Sequence, residues 1–369
     1  MENLKPVRVL VTGAGAPGIS GTLYSLRKNP DKRKIKIIGT DIKDKVLGKY
    51  LCDKFYTIPK PSDEKFIEEL MNICKKEKIQ VLIPQTTDEL PKLSQNKEDF
   101  MKIGTKIATS DYESIKVCNN KFQLTKLCKE LNIPYPEFYI STRFSDLIKK
   151  AEKIGFPERP IVIKPPESSG MRGLRIIDDK INIKQFFYDS KPSGVITDTN
   201  IPTSLYITSQ ELYRIIGEEF PELMIMEFLP GKEYTVDCFR TEKESLIIPR
   251  TRDVIRTGIT FDGTTEKNNI IIDACQKISE KLDLRYVFGF QFKVDSKGIP
   301  KILEGNPRVQ GTMVASTFAG ANIIYASVKY ALGEKIPKMK VRWNNRIIRF
   351  WGAISVEKEK IKEIMHLDK

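Results

Sequence analysis

Short apolar runs and amphipathic stretches alternate over the first hundred residues. Val7-Arg-Val-Leu-Val11 has the continuous apolar character of a buried strand and leads into Thr12-Gly13-Ala-Gly15-Ala-Pro-Gly18. Helical spacing then runs from Ile19 to Lys28, and a second apolar strand from Ile35 to Gly39 ends at Asp41. A helix over Asp63 to Lys76, a strand over Gln80 to Pro84 and Gln85-Thr-Thr-Asp-Glu-Leu90 opening another helix continue the pattern. Strands alternating with helices predict a parallel, doubly wound sheet.

The remainder has more strand character. One helix is expected from Asp111 to Glu130. An apolar strand, Pro160-Ile-Val-Ile-Lys164, is followed by a Ser/Gly-rich loop and a returning strand from Leu174 to Ile177. Between Asp178 and Glu222 the pattern is weak, with helices expected at Ile183 to Asp189 and Ser209 to Glu219 around a long Lys191 to Thr203 loop. Glu222 to Glu227 reads as a strand, crosses Pro230-Gly231 and resumes to Asp237. After a helix at Asn268 to Lys281, Phe288, Phe290, Phe292 and Val294 alternate with polar or small residues, and Asp295-Ser-Lys-Gly298 supplies turn chemistry. Pairing Val294 with Ile299 would put Gln291 opposite Ile302 and project Gln291, Glu304 and Asn306 from one face. A helix from Gly311 to Ala331, two closing strands between Val341 and Val356, and a charged helical tail complete the reading.

Composition narrows the class. At 369 residues, 40% hydrophobic and 30% charged, the chain fits two or three globular domains. It offers no apolar run long enough for a membrane span and no apolar leader, so the cytoplasm is the expected location. Six scattered cysteines without Cys-x-x-Cys indicate neither a zinc knuckle nor a disulfide framework. The net charge of +14 comes from lysines interleaved with Glu and Asp, as on solvated helix faces, and no nucleic-acid module accompanies it. His366 is the only histidine, which excludes imidazole-based triads and histidine metal sites.

Four stretches suggest chemistry. Gly13-x-Gly15-x-x-Gly18 with Asp41 fits either a dinucleotide cradle or a nucleotide-free Rossmann-like turn, and Pro17 removes an N–H that a pyrophosphate could use. Lys164 followed by Ser169, Gly170 and Gly173 suits a phosphate, which a glycine loop can approach closely. Gln291, Glu304 and Asn306 are hard oxygen ligands of the kind Mg²⁺ accepts, and Arg308 could grip a phosphate or carboxylate bidentately. Arg250 and Arg252, alternate along a strand with Arg256 nearby, could hold a further anion.

Glu304-Gly-Asn306-Pro-Arg308 preceded by Gln291 resembles the metal-binding end of ATP-grasp enzymes, most closely one synthetase half of the carbamoyl-phosphate synthase large chain. The resemblance implies a Rossmann-like N-terminal domain (1–112), a two-lobed ATP-grasp domain (113–345, divided near 228) and a C-terminal strand and tail (346–369). It implies ATP bound by Lys121, Lys164, Ser169, Gly170 and Gly173, with adenine read at Glu227, Phe228 and Leu229 and ribose held by Glu233. Gln291, Glu304 and Asn306 would hold Mg²⁺ or Mn²⁺, as two ions. Arg308 and Arg252 would be catalytic, and Arg250, Arg256, Gly15, Gly18 and Thr86-Thr87-Asp88 would contact the second substrate. The implied activity is ADP-forming ligation of a small-molecule carboxylate to an amine, without nucleic acid or membrane, with a homodimer as a possible assembly. A single half without a glutaminase partner argues against carbamoyl-phosphate synthesis. Two rival readings stand beside it, an NAD(P)-dependent oxidoreductase on the glycine loop and a non-catalytic nucleotide-binding protein.

Overall fold

The computed structural model describes residues 4–166, 173–181, 205–256, 258–350 and 352–365. Ser169, Gly170, the helix expected at Ile183 to Asp189 and the Lys191 to Thr203 loop lie outside the described residues.

The fold class is the expected one, a Rossmann-like sheet followed by a two-lobed ATP-grasp arrangement. Strands Lys54–Thr57, Ile35–Asp41, Val7–Val11, Val81–Ile83 and Lys106–Ile107 form, in that order, one five-stranded sheet, parallel throughout. Val7, Val9, Leu10 and Val11 of its central strand are buried on both faces, which is why their run is continuous rather than alternating. A second sheet joins Phe138–Arg143, Glu219–Glu227, Ile161–Lys164, Arg175–Ile177 and Tyr206–Ile207. A third, antiparallel, sheet runs Ser245–Thr251, Glu233–Arg240, Tyr286–Val294 and Pro300–Asn306.

The helix Ile323–Leu332 joins the first sheet to the third. Its Ile323, Ile324, Tyr325, Ala326 and Val328 pack in one cluster with Val7, Val9 and Ile37 of the first sheet and Phe239, Ile248 and Val287 of the third. A helix apolar around its circumference is one that must be covered on every side. At the same junction Gly18 meets Gly311 so closely that a Cβ on Gly18 would lie 2.7 Å from the Gly311 Cα.

Several elements differ from the sequence reading. The helix expected from Asp111 to Glu130 is two, Tyr112–Asn119 and Lys121–Glu130, because Asn120 leaves helical geometry and its side chain accepts the Gln123 N–H as an N-cap. Gly311 to Ala331 likewise divides into Val314–Phe318 and Ile323–Leu332 around Gly320 at φ +92°, with Asn322 capping the second helix. The helix beginning at Ser209 stops at Ile216 before Gly217. The tail is a hairpin, Ile354–Glu357 against Lys360–Ile364, rather than a helix. Lys358 and Glu359 adopt φ of +48° and +61°, the left-handed pair that a two-residue hairpin turn requires.

Candidate functional site

Pairing across the third sheet arranges its polar face in rows. Thr235 pairs with both Arg250 and Gln291, and Gln291 pairs with Glu304, so these four share one face. In the next row Asp237 pairs with Ile248 and Gly289, and Gly289 pairs with Asn306. Glu233 and Lys293 pair on the other side of the first row.

The hairpin register corrects the expected one. Val294 pairs with Pro300, not Ile299, and a bulge beyond Phe292–Ile302 brings Gln291 opposite Glu304 instead of Ile302. The turn is one residue longer than expected, because the Asp295 carboxylate accepts the N–H groups of both Lys297 and Ile299, at 2.8 and 2.9 Å, and holds the loop open to Ile299. The bulge leaves Leu303 as the extra residue, and Leu303 lines the smaller of two adjoining cavities.

That smaller cavity, of about 170 Å³, is lined by apolar Val162, Ile176, Met226 and Leu229 and by polar groups that include Lys164 and Glu233. The larger, of about 1360 Å³, lies between the first sheet's loops and the third sheet and is lined by Gly18, Thr86, Thr87, Asp88, Arg250, Asn306, Arg308 and Gln310 among others. Five residues border both cavities: Lys121, Arg252, Gly258, Gln291 and Glu304. A molecule in the smaller cavity and one in the larger would meet there.

Charge concentrates at this junction. Lys121 is the first residue of its helix, and its Nζ lies 3.7 Å from Glu304 Oε2. Burial pushes the Lys164 ammonium down to about 8, nearby Lys121 adds to the shift, and Glu304 opposes it. Burial also lowers Lys293, against the pull of Glu233. Arg252 is braced from several sides: its Nε donates to Thr260 Oγ1 at 3.0 Å, its Nη2 to the Gly258 carbonyl at 2.6 Å and its Nη1 to Gln291 Oε1 at 3.1 Å. Arg252 also pairs with Glu233. Arg308 Nε donates to Thr87 Oγ1 at 2.9 Å, tying the metal-candidate hairpin to the first sheet, and its Nη2 donates to Asn306 Oδ1 at 3.2 Å.

Gln291, Glu304 and Asn306 share the face expected of them, and Asn306 Nδ2 donates to Glu304 Oε1 at 3.2 Å. No group of three or more His, Cys, Asp or Glu side chains is placed to hold a metal among the described residues. A divalent ion here would therefore rest on the Glu304 carboxylate, waters and phosphate oxygens, and the Gln291 and Asn306 oxygens, which accept from Arg252 and Arg308, would join it on release of those bonds. That donor set fits Mg²⁺, which keeps several waters and binds through few protein groups.

The other candidates fall in varied places. Glu227, Phe228, Leu229 and Glu233 line the smaller cavity and Gly173 the larger. The Glu227 carboxylate is already taken by Lys301 Nζ, at 2.6 and 2.9 Å. Arg250 reaches the larger cavity, but its guanidinium is bound to Asp237 at 3.0 Å in a pair whose side chains are 1% and 0% exposed. It therefore does not pair with Arg252 around one anion as alternation suggested. Arg256 lines neither cavity and stacks over the Phe261 ring at 4.9 Å.

The glycine loop is closed by its own chain. The Gly15 N–H donates to Asp41 Oδ2 at 2.7 Å, and Asp41 Oδ1 accepts the Lys43 N–H at 3.0 Å, which engages the carboxylate a ribose would need. Gly48 packs onto Ala14, where a Cβ would meet the carbonyl at 2.3 Å. Gly18 lines the larger cavity and Gly15 does not. The dinucleotide reading is not favoured.

Three contributors escaped the sequence reading. Lys293 shares its strand face with Gln291, a period-two relation that was available. Asp237, which holds Arg250 and accepts from Ser316 Oγ at 2.7 Å, and Gln310 become visible only through pairing across the sheet.

Family models match two parts of the chain: one described as ATP-grasp in the biosynthetic pathway with Ter operon over residues 219–349, and the PylC-like N-terminal domain over residues 9–108. The chain thus resembles ATP-grasp proteins over its C-terminal part and PylC-like proteins over its N-terminal part. It is homologous to the carbamoyl phosphate synthase large chain, for example that of Thermoanaerobacter sp. (strain X514), at 25% identity over 289 residues. That match covers 74% of this chain and 24% of the relative, so the chain spans about a quarter of its length. The fold is also that of N5-carboxyaminoimidazole synthetase from Staphylococcus aureus complexed with ADP, with TM-score 0.64, 16% identity and coverage of 93% and 82% of the two chains. It is shared with L-amino acid ligase from Bacillus licheniformis, with TM-score 0.60, 11% identity and coverage of 90% and 75%.

Proposed function

We propose that the protein is an ATP-dependent ligase that activates a carboxylate as an acyl phosphate and couples it to an amine, releasing ADP and phosphate. The observation that carries this reading is the junction of the two cavities at Lys121, Arg252, Gln291 and Glu304. In this reading the smaller cavity takes adenine, against Glu227 to Leu229, and ribose at Glu233. Its triphosphate extends past Lys164 towards Glu304, and the carboxylate and amine enter from the larger cavity. Residues 1–112 supply the far wall of that cavity, 113–228 the small lobe and 229–345 the large lobe.

Charge accounting supports the geometry. Lys121 and Lys164 place two cations where a triphosphate would lie. Two Mg²⁺ or Mn²⁺ ions at Glu304, Gln291 and Asn306 would neutralise phosphate charge and align the β- and γ-oxygens. Arg308, fixed by Thr87 and Asn306, would hold the carboxylate in line with the γ-phosphorus, and Arg252 would stabilise charge beside it. A carboxylate oxygen attacks that phosphorus as its bond to the ADP oxygen breaks. The amine nitrogen then attacks the acyl carbon, losing a proton, and phosphate departs with the original carboxylate oxygen. No protein nucleophile takes part.

The C–N ligases that share the fold support this choice over a non-catalytic role. A homodimer in the cytoplasm belongs to the same reading, and the six free cysteines suit a reducing compartment. The test is oxygen transfer, using carboxylates labelled with ¹⁸O and incubated with ATP and candidate amines. One label atom in the released phosphate, together with ADP, is the expected result. Label in AMP, or none in phosphate during turnover, would rule out the acyl phosphate.

A further inference from the structure

The second and third sheets face each other across the smaller cavity. Val162, Ile176 and Met226 line it from the second sheet, and Gln291, Lys293 and Leu303 from the third. The spacing of the two sheets therefore sets the width of the cavity. The chain leaves the second sheet at Glu227 and enters the third at Glu233, and Phe228 and Leu229 between them line the cavity. Backbone pins the far end of this connection: the Gly231 N–H donates to the Val294 carbonyl and the Val294 N–H to the Lys232 carbonyl, both at 2.9 Å. So close an approach needs a glycine, since a Cβ on Gly231 would lie 2.8 Å from the Val294 carbonyl oxygen.

A side chain pins the near end. Lys301, on the Pro300–Asn306 strand, donates from Nζ to Glu227 Oε2 at 2.6 Å and to Oε1 at 2.9 Å. Glu227 Oε2 also accepts the Glu137 N–H at 3.2 Å, and the Glu227 N–H donates to the Glu137 carbonyl at 2.9 Å. Glu137 directly precedes the strand by which the chain enters the second sheet, and the Pro134 carbonyl just upstream accepts the Ile302 N–H at 3.1 Å. Entry to and exit from the second sheet are thus stitched to one strand of the third, with Lys301 where they meet. The Lys301 and Glu227 side chains are 18% and 24% exposed, so the pair lies largely out of water, where a charge-assisted contact is stronger than at the surface. Asp295 Oδ2 lies 3.5 Å from the same ammonium. Lys301 itself lines neither cavity.

We propose that Lys301 is a positioning residue for nucleotide binding: through Glu227 it holds the connection beside the smaller cavity and fixes the spacing of the two sheets around the nucleotide. This rests on the ligase reading above. Glu227 and Asp295 share one ammonium, so without it the two carboxylates repel, and Glu227 moves away with the main chain that borders the cavity. Because Lys301 borders no cavity, the effect of its loss on nucleotide affinity is transmitted through Glu227. The sign of the effects separates position from charge. By electrostatics alone, removing the Lys301 charge weakens binding of an anionic nucleotide and removing the Glu227 charge strengthens it. A positional tie weakens binding in both cases.

The experiment titrates the full chain with Mg²⁺ and the β,γ-imido analogue of ATP in a calorimeter. It compares wild type, Lys301→Met, Glu227→Ala, the double variant and Lys301→Arg, with urea unfolding of each to certify the fold. Lys301→Met and Glu227→Ala should each raise Kd by about tenfold or more, as misplacement of a binding group does. The double variant should bind no more weakly than the weaker single variant, since the two residues act as one contact. Lys301→Arg keeps a cation within reach of both carboxylate oxygens and should stay within about threefold of wild type. Lys301→Gln replaces Lys301→Met should the latter not fold. An unchanged Kd in the folded Lys301 variant, opposite effects of the two single variants, additive losses in the double variant, or a loss in Lys301→Arg as large as in Lys301→Met would overturn the proposal and leave the ligase reading intact. If wild type does not bind the analogue, the ligase reading fails first and this proposal falls with it.

Discussion

Lys164 is the residue whose chemistry is most sensitive to what binds beside it. Burial and Lys121 lower its ammonium to about 8 from the ordinary 10.5. The unfolded chain then binds more protons than the folded one between these values, so this group's contribution makes stability rise with pH across that window. Lys164→Met should accordingly raise the thermal midpoint of the ligand-free protein near neutral pH, by an amount equivalent to at most about 3 kcal/mol. Nucleotide phosphates favour the charged form. ATP affinity should therefore fall as pH rises above about 8, approaching tenfold per pH unit, and Lys164→Met should abolish that dependence in a calorimetric titration. Asp237 carries a prediction of a different kind. It neutralises the buried Arg250, so Asp237→Ala should destabilise the protein by roughly 3–5 kcal/mol in urea unfolding, the range for one partner removed from a buried pair. Lys164 was legible because an apolar strand ending in lysine before a glycine loop is a local pattern. Asp237 was not, since its role depends on which residue lies across the sheet.

At the scale of elements, the bulged hairpin and the two-glycine contact set the site. The bulge makes Leu303 part of the smaller cavity's wall and places Glu304 against Gln291. The Asp295 hydrogen bonds fix the turn end of the register, and no alternation pattern in sequence specifies where the extra residue goes. The contact of Gly18 with Gly311 is backbone against backbone and cannot be relieved by rotating a side chain. Gly18→Ala should therefore cost about 1–3 kcal/mol in chemical denaturation, as overpacking does, and weaken binding in the larger cavity more than in the smaller. Alternating strands and helices made the first sheet readable. Misread helices failed at asparagines: Asn120 and Asn322 act as N-caps inside stretches with otherwise continuous helical spacing.

At the scale of the whole molecule, the helix Ile323–Leu332 joins the sheet of the glycine loop to the sheet that carries Gln291, Glu304 and Asn306 and leaves the larger cavity between them. The glycine loop thereby becomes a wall of the larger cavity through Ala16, Pro17 and Gly18, its Asp41 engaged by the loop's own backbone. Local sequence could not separate that role from dinucleotide binding, because both need glycines at the same turn. The central claim, metal-dependent ATP binding at Glu304, is tested most directly by thermal unfolding of wild type and Glu304→Gln with Mg²⁺-ATP, with ATP and chelator, and with NADPH. A ligand at about 100 times its Kd adds roughly 2.7 kcal/mol to the folded state. The account predicts stabilisation of wild type by Mg²⁺-ATP that shrinks with chelator and in Glu304→Gln, and none with NADPH. Stabilisation by NADPH alone, or an ATP effect indifferent to both metal and Glu304, would contradict it.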